Sequence, residues 1–302
     1  MKTPEKDLLA GASGLATLGQ WLKFAEAAYE RAGAVFGQVA TDAHDEALYL
    51  LLHTLGLPME SGPDALARRL SAAENRRVAA VFRRRLVDRV PAAYITREAW
   101  LGEDRFYVDE RVIIPRSYFL EIIPRMAKRA GILKIADVCT GSGCLAIVLA
   151  RQFPGAAVDA IDVSPDALAV ATLNVAAYRL ARRVRLWRSD VFEDMPAATY
   201  DLIVSNPPYE PSAVVSALPA EFRKEPPLAL DGGTDGLDVI RRLLSQARGR
   251  LRPRGRLLIE VGGLRQAMDR EFSALGLRWL PTADASDCIC EIGSGPLRRW
   301  KA

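Results

Sequence analysis

The tetrapeptide Asn206-Pro207-Pro208-Tyr209 contains residue types that together can orient a planar NH2 group. The side-chain carbonyl of Asn206 can accept a hydrogen bond from one hydrogen of such a group, and the main-chain carbonyl of Pro207 can accept one from the other. Proline has a fixed φ, and Pro208 also restricts Pro207 to an extended conformation, so the direction of that carbonyl is set in advance. Tyr209 adds an aromatic face against which the group can pack. We therefore predict that these four residues are the catalytic ones.

The chemistry that such a site favours is transfer of a group to a weakly nucleophilic nitrogen. The lone pair of an amide nitrogen is delocalised into its carbonyl, the same resonance that makes a peptide bond planar. Reaction there needs accurate aim, and orienting two reactants can lower a barrier by roughly 7–11 kcal/mol. The amino group of a nucleic-acid base has the same geometry, so this motif alone leaves both acceptors open. An ordinary proline-rich loop is the simpler alternative.

A glycine-rich run, DVCTGSGC from Asp137 to Cys144, follows an apolar stretch and precedes a helical pattern. Gly141 and Gly143 permit a tight turn and close approach of a ligand to the backbone, and the free amides of the next helix face that loop. Asp162 comes 19 residues after Gly143, at the end of the next apolar stretch, where a carboxylate can bind ribose hydroxyls. The run predicts a nucleoside-containing ligand, but its spacing also suits a dinucleotide.

Two further segments are candidates for contact with that ligand. Asp190 ends another apolar stretch after Ser189 and can accept a hydrogen bond from an adenine amino group, although a surface loop is the plainer alternative. Pro115 and Arg116 are candidates for a lid over the ligand.

The elements that must hold these residues follow an α/β pattern. From residue 119 onward, apolar strands alternate with helices, which is typical of a doubly wound sheet with its ligand at the carboxyl ends of the strands. The predicted strands are 135–138, 157–163, 184–188, 201–205, 256–261 and 289–292. The predicted helices are 144–152, 164–179, 236–250 and 264–275.

The N-terminal part has a different pattern. Apolar residues recur at helical spacing through residues 15–92, and Gly56-Leu57-Pro58 is a helix stop. Two short strand patterns flank a turn at 102–104. We predict a helical domain over 1–92, a β-hairpin linker over 93–118 and a catalytic domain over 119–302.

Composition narrows the protein class. With 50% hydrophobic and 26% charged residues, no apolar run long enough for a membrane span and charges near its start, the chain is predicted to be globular and cytoplasmic, with no membrane partner. The four cysteines form no CxxC pair and the two histidines are far from them, so no metal site is expected.

The net charge of +4 is only mildly basic. Eight arginines lie between Arg68 and Arg89, opposed by Glu74 and Asp88. They are either a solvated helix face or a surface that contacts ribosomal RNA or protein.

Taken together, the motifs resemble those of the HemK/PrmB family of protein-glutamine methyltransferases. The likeness covers nearly the whole chain. It includes PAAYIT from Pro91, FYVDERVIIPRS from Phe106, DVCTGSGC, DVSPDA from Asp162, NPPY, FRKEP from Phe222 and GTDGL from Gly233.

The resemblance implies a Rossmann-like domain that uses S-adenosylmethionine, with a small helical substrate-recognition domain and a β-hairpin linker. Together with the loop analysis, it predicts these cofactor-binding residues: Asp137, Cys139, Thr140, Gly141, Ser142, Gly143, Asp162, Val163, Asp190, Val191 and Asn206. Methyltransferase loops usually have glycine where this chain has Cys139, and related enzymes often have an aromatic residue where it has Val191.

The resemblance is greatest to the branch that methylates a glutamine of the large-subunit ribosomal protein L-three, free or in an assembly intermediate. A release-factor glutamine is the nearest alternative acceptor. A base-amino methyltransferase acting on DNA or RNA should have a target-recognition domain or a broader basic surface, and must extract its base from a stack. A non-catalytic ribosome-assembly protein is the alternative from another class.

Overall fold

A computed structural model describes residues 8–37, 39–127 and 131–300, and the N-terminal part of these is helical. Its helices are α1 (Leu18–Ala32), α2 (Ala43–Leu55), α3 (Ala72–Leu86) and the short α4 (Ala92–Thr96). Capping boxes fix two helix starts, Thr17 with Gln20 at α1 and Ser71 with Glu74 at α3. α2 ends at the predicted stop, where Gly56 adopts the left-handed conformation. Residues 1–7 of the predicted helical domain lie outside the described part.

The described residues form two compact units. The first contains the described residues up to Ala99 together with Pro219–Lys224, and the second contains those of Trp100–Leu218 and of Glu225–Ala302. The sequence gives no sign that 219–224 belongs with the helices. The domain limits at 92 and 118, and the roles of the domains, stay predictions.

The second unit is built on a sheet. A two-stranded hairpin, β1 (Glu98–Leu101) and β2 (Asp104–Tyr107), comes first in the chain. The sheet strands are β3 (Lys134–Val138), β4 (Ala157–Asp162), β5 (Val184–Arg188), β6 (Tyr200–Ser205), β7 (Leu251–Glu260), β8 (Arg278–Leu280) and β9 (Ile289–Gly293). Across the described sheet their order is β5-β4-β3-β6-β7-β9-β8. β3 to β7 run parallel, and β9 is antiparallel to both β7 and β8.

Helices cover both faces of this sheet. The helices of this unit are α5 (Phe119–Ala127), α6 (Cys144–Gln152), α7 (Pro165–Ala177), α8 (Ser212–Ala217), α9 (Asp238–Ala247), α10 (Arg265–Glu271) and α11 (Ser294–Arg299). All of them except α8, which has no buried residue, contribute to the two cores on the faces of the sheet. Alternate strand residues enter different cores, so Ile135 of β3 packs in one cluster while Ala136 and Val138 pack in the other. Burial on both faces explains why the central strands are almost wholly apolar.

The predicted fold class is confirmed, with differences at element ends. β4 ends at Asp162, so Val163 belongs to the following loop and not to the strand. The predicted helix 264–275 stops at Glu271 and a 3-10 turn follows. β8 was not predicted because three residues are too few for a recognisable alternation.

Candidate active site

A cleft lies at the carboxyl ends of β3, β4 and β6. In the parallel sheet Val138 is paired with Ile161 on one side and with Ser205 on the other, so the three following loops start side by side. The strand order reverses between β3 and β6, which is the place where open α/β sheets bind their ligands. The walls come from stretches around 111–117, 139–145, 161–167, 189–191, 206–210 and 226–231.

Most predicted site residues line this cleft. Those that do are Cys139, Thr140, Gly141, Ser142, Asp162, Val163, Asp190, Val191, Asn206, Pro207, Pro208 and Tyr209. Asp137 and Gly143 are not among the lining residues. Pro115 and Arg116, the predicted lid residues, also line the cleft.

Backbone conformation explains the composition of the glycine-rich loop. Gly141 and Gly143 have φ of 56° and 78°, in the left-handed region that glycine adopts without strain. A Cβ on Gly143 would lie 3.1 Å from the Cβ of Ala171, so the loop also needs a small residue there. Cys139 has φ of 63°, in the same left-handed region, so a glycine would adopt the conformation of this position with less strain.

Asp137 acts from behind the loop. It is fully buried, and its Oδ2 accepts a hydrogen bond of 2.6 Å from the Thr140 hydroxyl. Its Oδ1 has no hydrogen-bond partner among the described residues. Burial raises the pKa of this carboxyl to about 7, because water cannot solvate the charged form. The geometry makes Asp137 a support of the loop rather than a wall of the cleft.

Asp162 faces the cleft from the end of β4. Its two carboxylate oxygens accept backbone hydrogen bonds from Gly141 at 2.8 Å and from Ser164 at 2.9 Å. Burial raises the pKa of Asp162 above its ordinary value. Each oxygen has a further lone pair, so the carboxylate can still accept hydrogen bonds from a ligand.

The loop after β5 forms the next wall. The Asp190 carboxylate lies 3.4 Å from Nε of Arg242, which also lines the cleft. Val191 has φ of 55°, a rare conformation for a β-branched residue.

Asn206 follows β6, and its side-chain amide has a defined orientation. Its Nδ2 donates to the main-chain carbonyl of Arg116 and to Oε1 of Glu260, both at 3.4 Å. The Arg116 carbonyl can only accept, so the nitrogen end of the amide must face it. The carbonyl oxygen of Asn206 is therefore the end that is free to accept a hydrogen bond from a bound group.

Residues 118–222 match the sequence model of the methyltransferase small domain. Over 277 residues the chain is 46% identical to the ribosomal protein uL3 glutamine methyltransferase of Neisseria gonorrhoeae, a match that covers 90% of this chain and 92% of that protein. The protein of the same name from Burkholderia pseudomallei is 43% identical over 293 residues, which cover 93% of this chain and 95% of that protein.

This chain belongs to the ribosomal protein uL3 glutamine methyltransferase family. The predicted resemblance to protein-glutamine methyltransferases is thereby confirmed. A third member, from Neisseria meningitidis serogroup B, is 47% identical over 277 residues, which cover 90% of this chain and 91% of that protein.

Glu260 of this uL3 glutamine methyltransferase family member lies beside the site, although no motif in the sequence indicates it. It ends β7 beside Asn206 and is 3% exposed. Its Oε2 accepts hydrogen bonds from the Ser117 hydroxyl at 2.5 Å and from the Tyr118 amide at 3.2 Å. Burial raises the pKa of Glu260 to about 7. The available signal was a carboxylate directly after the apolar run Leu257–Ile259, where an unpaired charge is costly.

Arg116 and Glu225 fix the segment that faces Asn206. Nη1 of Arg116 donates to both carboxylate oxygens of Glu225, at 2.9 and 3.1 Å, and the amide of Ile114 donates to Glu225 at 3.3 Å. The Arg116 carbonyl that receives the Asn206 hydrogen bond is thus part of an anchored segment.

Three glycines outside the tetrapeptide leave room for it. A Cβ on Gly262 would lie 2.5 Å from the Tyr209 ring, and one on Gly232 would lie 2.8 Å from the Pro208 carbonyl oxygen. A Cβ on Gly236 would collide with the carbonyl oxygen of Tyr209. Of these three, only Gly236 belongs to the sequence pattern GTDGL, and the contact that it serves could not be deduced from that pattern.

The described residues form neither a membrane-spanning helix nor a metal-binding cluster. No helix among them is long and apolar enough to cross a membrane. Nor do they contain a group of three or more His, Cys, Asp or Glu side chains arranged to hold a metal ion.

Proposed function

We propose that this chain transfers a methyl group from S-adenosylmethionine to the side-chain amide nitrogen of a glutamine in ribosomal protein uL3. The observation that carries the proposal is the orientation of Asn206, whose nitrogen faces Arg116 and Glu260 and whose oxygen remains for a ligand. The Asn206 oxygen and the Pro207 carbonyl can together accept both hydrogens of a carboxamide NH2 group. The names of the relatives support uL3 as the substrate.

The residues around the glycine loop fit S-adenosylmethionine. The loop has the left-handed glycines that allow a ligand to approach the backbone, and the Asp162 carboxylate retains lone pairs for ribose hydroxyls. We assign the donor site to Cys139, Thr140, Gly141, Ser142, Asp162, Val163, Asp190, Val191 and Asn206, with Asp137 and Gly143 supporting the loop. When bound, this cofactor supplies a methyl group that its sulfonium makes electrophilic.

The chain's own contribution is to hold the acceptor nitrogen in line. The Asn206 oxygen and the Pro207 carbonyl each accept one hydrogen of the glutamine NH2, and the Tyr209 ring packs against the amide plane. Residues 100–302 contain no histidine to act as a general base. The proton therefore leaves to solvent after attack, when the methylated nitrogen has become acidic.

The alternative acceptors differ in their demands. A release-factor glutamine has the same reacting group, so only contacts outside the tetrapeptide distinguish it from a uL3 glutamine. A nucleic-acid base has to leave its stack first. The curated relatives favour uL3 over both.

The helical unit is assigned to substrate recognition. Arg76, Arg77 and Arg83 of α3 are exposed, and contact between them and ribosomal RNA in an assembly intermediate remains a prediction. A cytoplasmic location, where ribosomal proteins are assembled, is part of the same proposal.

The test uses the purified chain with S-adenosylmethionine carrying a labelled methyl group. uL3 and a peptide-chain release factor are incubated separately, and the modified residue is mapped by mass spectrometry. We expect label on one glutamine side chain of uL3. Label on the release factor alone, or on neither protein, contradicts the proposal.

A further inference from the structure

Glu260 does not line the cleft, but it contacts Asn206, which does. It is buried behind Asn206, and its carboxylate accepts hydrogen bonds on two sides, from Asn206 at Oε1 and from Ser117 and Tyr118 at Oε2. We propose that Glu260 is a positioning residue that decides which end of the Asn206 amide faces the methyl acceptor. This inference rests on the proposed function.

The carboxylate discriminates between the two orientations of the amide by hydrogen-bond polarity. In the observed orientation, the Asn206 nitrogen meets two acceptors, the Arg116 carbonyl and Glu260. If the amide turned over, its oxygen would face both acceptors and its NH2 would face the cleft. A donor there would repel the NH2 of a glutamine instead of binding it.

The main-chain donor on the other side of Glu260 explains why the residue has to be a carboxylate. The amide of Tyr118 always donates, so Oε2 must accept. The Asn206 nitrogen also needs an acceptor, and only an ionised carboxyl group accepts at both oxygens without donating at either. A glutamine at position 260 has one acceptor end and one donor end, so one of the two contacts has to fail.

The charge on Glu260 changes near neutral pH. Burial raises its pKa to about 7, and the hydrogen bonds from Ser117 and Tyr118 and the charge of Arg116 oppose that rise. Arg116, Tyr209 and Cys288 are the titratable or charged groups that face it. Above this pH the ionised form holds Asn206 as observed. Below it, the neutral form can present its O–H to the Asn206 oxygen, and the discrimination is lost.

The experiment compares Glu260→Gln, Glu260→Asp and Glu291→Gln with the unmodified chain. Glu291 is the matched control, because it is also a strand glutamate. It lies on β9 and forms ion pairs with Arg256 and Arg278 of the neighbouring strands. We expect Glu260→Gln to lower kcat about 100-fold, the scale of loss caused by small misplacements of reacting groups. The dissociation constant of S-adenosylmethionine should stay unchanged. Glu260→Asp keeps two acceptors and should retain more of the rate than Glu260→Gln.

Two further measurements separate positioning from a general structural role. In an Asn206→Ala background, Glu260→Gln should have almost no additional effect, because its influence passes through Asn206. The ratio of kcat/KM between the unmodified chain and Glu260→Gln should rise as pH increases through 7. The pKa of Asp137 is also raised to about 7, but Asp137 is present in both proteins, so its titration cancels in that ratio.

An observation that does not depend on transfer completes the test. The side-chain NH2 signals of Asn206 in an NMR spectrum, identified by their loss in Asn206→Ala, should shift in Glu260→Gln but not in Glu291→Gln. Unchanged signals, a pH-independent ratio or an undiminished effect without Asn206 would overturn the inference. Failure of the unmodified chain to methylate uL3 would instead contradict the proposed function, while the NMR result would still decide the role of Glu260.

Discussion

At the scale of single residues, the site is organised by which atoms donate hydrogen bonds and which accept them. The side-chain nitrogen of Asn206 donates to Arg116 and Glu260, so the side-chain oxygen is left to accept a hydrogen bond from a ligand. Asp162 likewise uses one lone pair of each oxygen on the backbone. In both cases the protein fixes the side chain through one set of contacts and leaves another set for binding.

The first prediction concerns Asn206 itself. Asn206→Ala removes the acceptor that we propose for one hydrogen of the substrate amide, but it leaves Asp162 and the glycine loop intact. We expect transfer to uL3 to fall at least about 100-fold, since an oriented hydrogen-bonding group typically contributes that much. Binding of S-adenosylmethionine, measured by calorimetry, should persist, because the other residues assigned to the donor site are unchanged. A variant that turns over at the normal rate would refute the role assigned to Asn206.

Two non-glycine residues of the cleft have left-handed backbone conformations. Cys139 and Val191 have φ of 63° and 55°, and such conformations cost of order 1–3 kcal/mol each. They persist because the surrounding strands and helices determine the path of the chain. Their position at the ends of β3 and β5 directs both loops toward the same cleft.

At the scale of elements, the tetrapeptide depends on the segments packed against it. Gly262 starts the short 3-10 turn after β7 and lies directly under the Tyr209 ring. Tyr209 itself packs on the apolar core of that sheet face. The orientation of the tetrapeptide is therefore determined partly by the turn that follows β7.

Adjacent glycines provide a matched test of this support. Gly262→Ala places a Cβ 2.5 Å from the Tyr209 ring at a φ of 50°, so the ring or the turn has to move. Gly263→Ala meets nothing within 4 Å. We expect Gly262→Ala to reduce methyl transfer about 100-fold while donor binding persists. Gly263→Ala should be close to normal in both assays, and equal effects of the two changes would show that the contact with Tyr209 is unimportant.

The segment before the cleft is held by a local ion pair. Asp109 accepts from Nε and Nη2 of Arg111 at 2.9 and 2.6 Å and from the Tyr107 hydroxyl at 2.9 Å. The hydrogen bonds from Arg111 lower the pKa of Asp109 from 3.8 to about 2. A lowered pKa in the folded state means that the ionised carboxylate stabilises the fold above about pH 4, and that this stabilisation is lost as the pH falls toward 2.

This gives a pH-dependent prediction. Asp109→Asn keeps the shape of the side chain but removes its charge, so it should lower the free energy of unfolding at pH 7. The difference from the unmodified chain should shrink as the pH falls from about 4 to 2. Denaturant titrations of both proteins across that range check the result. A difference that is the same at pH 7 and at pH 2 would contradict it.

At the scale of the whole molecule, a buried charge cluster ties a distant segment into the helical unit. Arg85 is 1% exposed, and it donates to Glu46 at 2.6 Å and to Glu221 at 3.2 Å. Arg89 also donates to Glu221, at 2.9 Å. Glu221 lies within Pro219–Lys224, which explains why this short segment belongs to the helical unit although its neighbours in the chain do not.

Two arginines of α3 test the importance of that cluster. Arg85→Leu leaves Glu46 and Glu221 buried without this partner, and breaking a buried ion pair in this way costs about 3–5 kcal/mol. We expect the free energy of unfolding of the helical unit to fall by that order and its amides to exchange hydrogen faster. Arg83→Leu, at an exposed position of the same helix, should have little effect. Similar exchange rates in the two variants would contradict the prediction.

The sequence alone determined the fold class and predicted most of the candidate residues that line the cleft. Strand periodicity placed the glycine loop, Asp162 and the tetrapeptide at strand ends, and parallel strands bring such ends together whatever the details of packing. Local backbone demands, such as glycine in a left-handed turn or the fixed φ of proline, are visible in residue types. For that reason the lining of the cleft was largely predicted.

Only the tertiary structure decided which contacts turn these residues into an oriented site. Asn206 contacts Glu260 and Arg116, which are 54 and 90 positions away in the chain. Gly262, which is 56 positions from Asn206, lies against Tyr209 of the same loop. No local pattern specifies such pairings. The same holds for Arg85 and Glu221, which are 136 positions apart. Hydrogen-bond polarity in a buried site depends on every neighbour at once, and those neighbours are assembled only when the chain has folded.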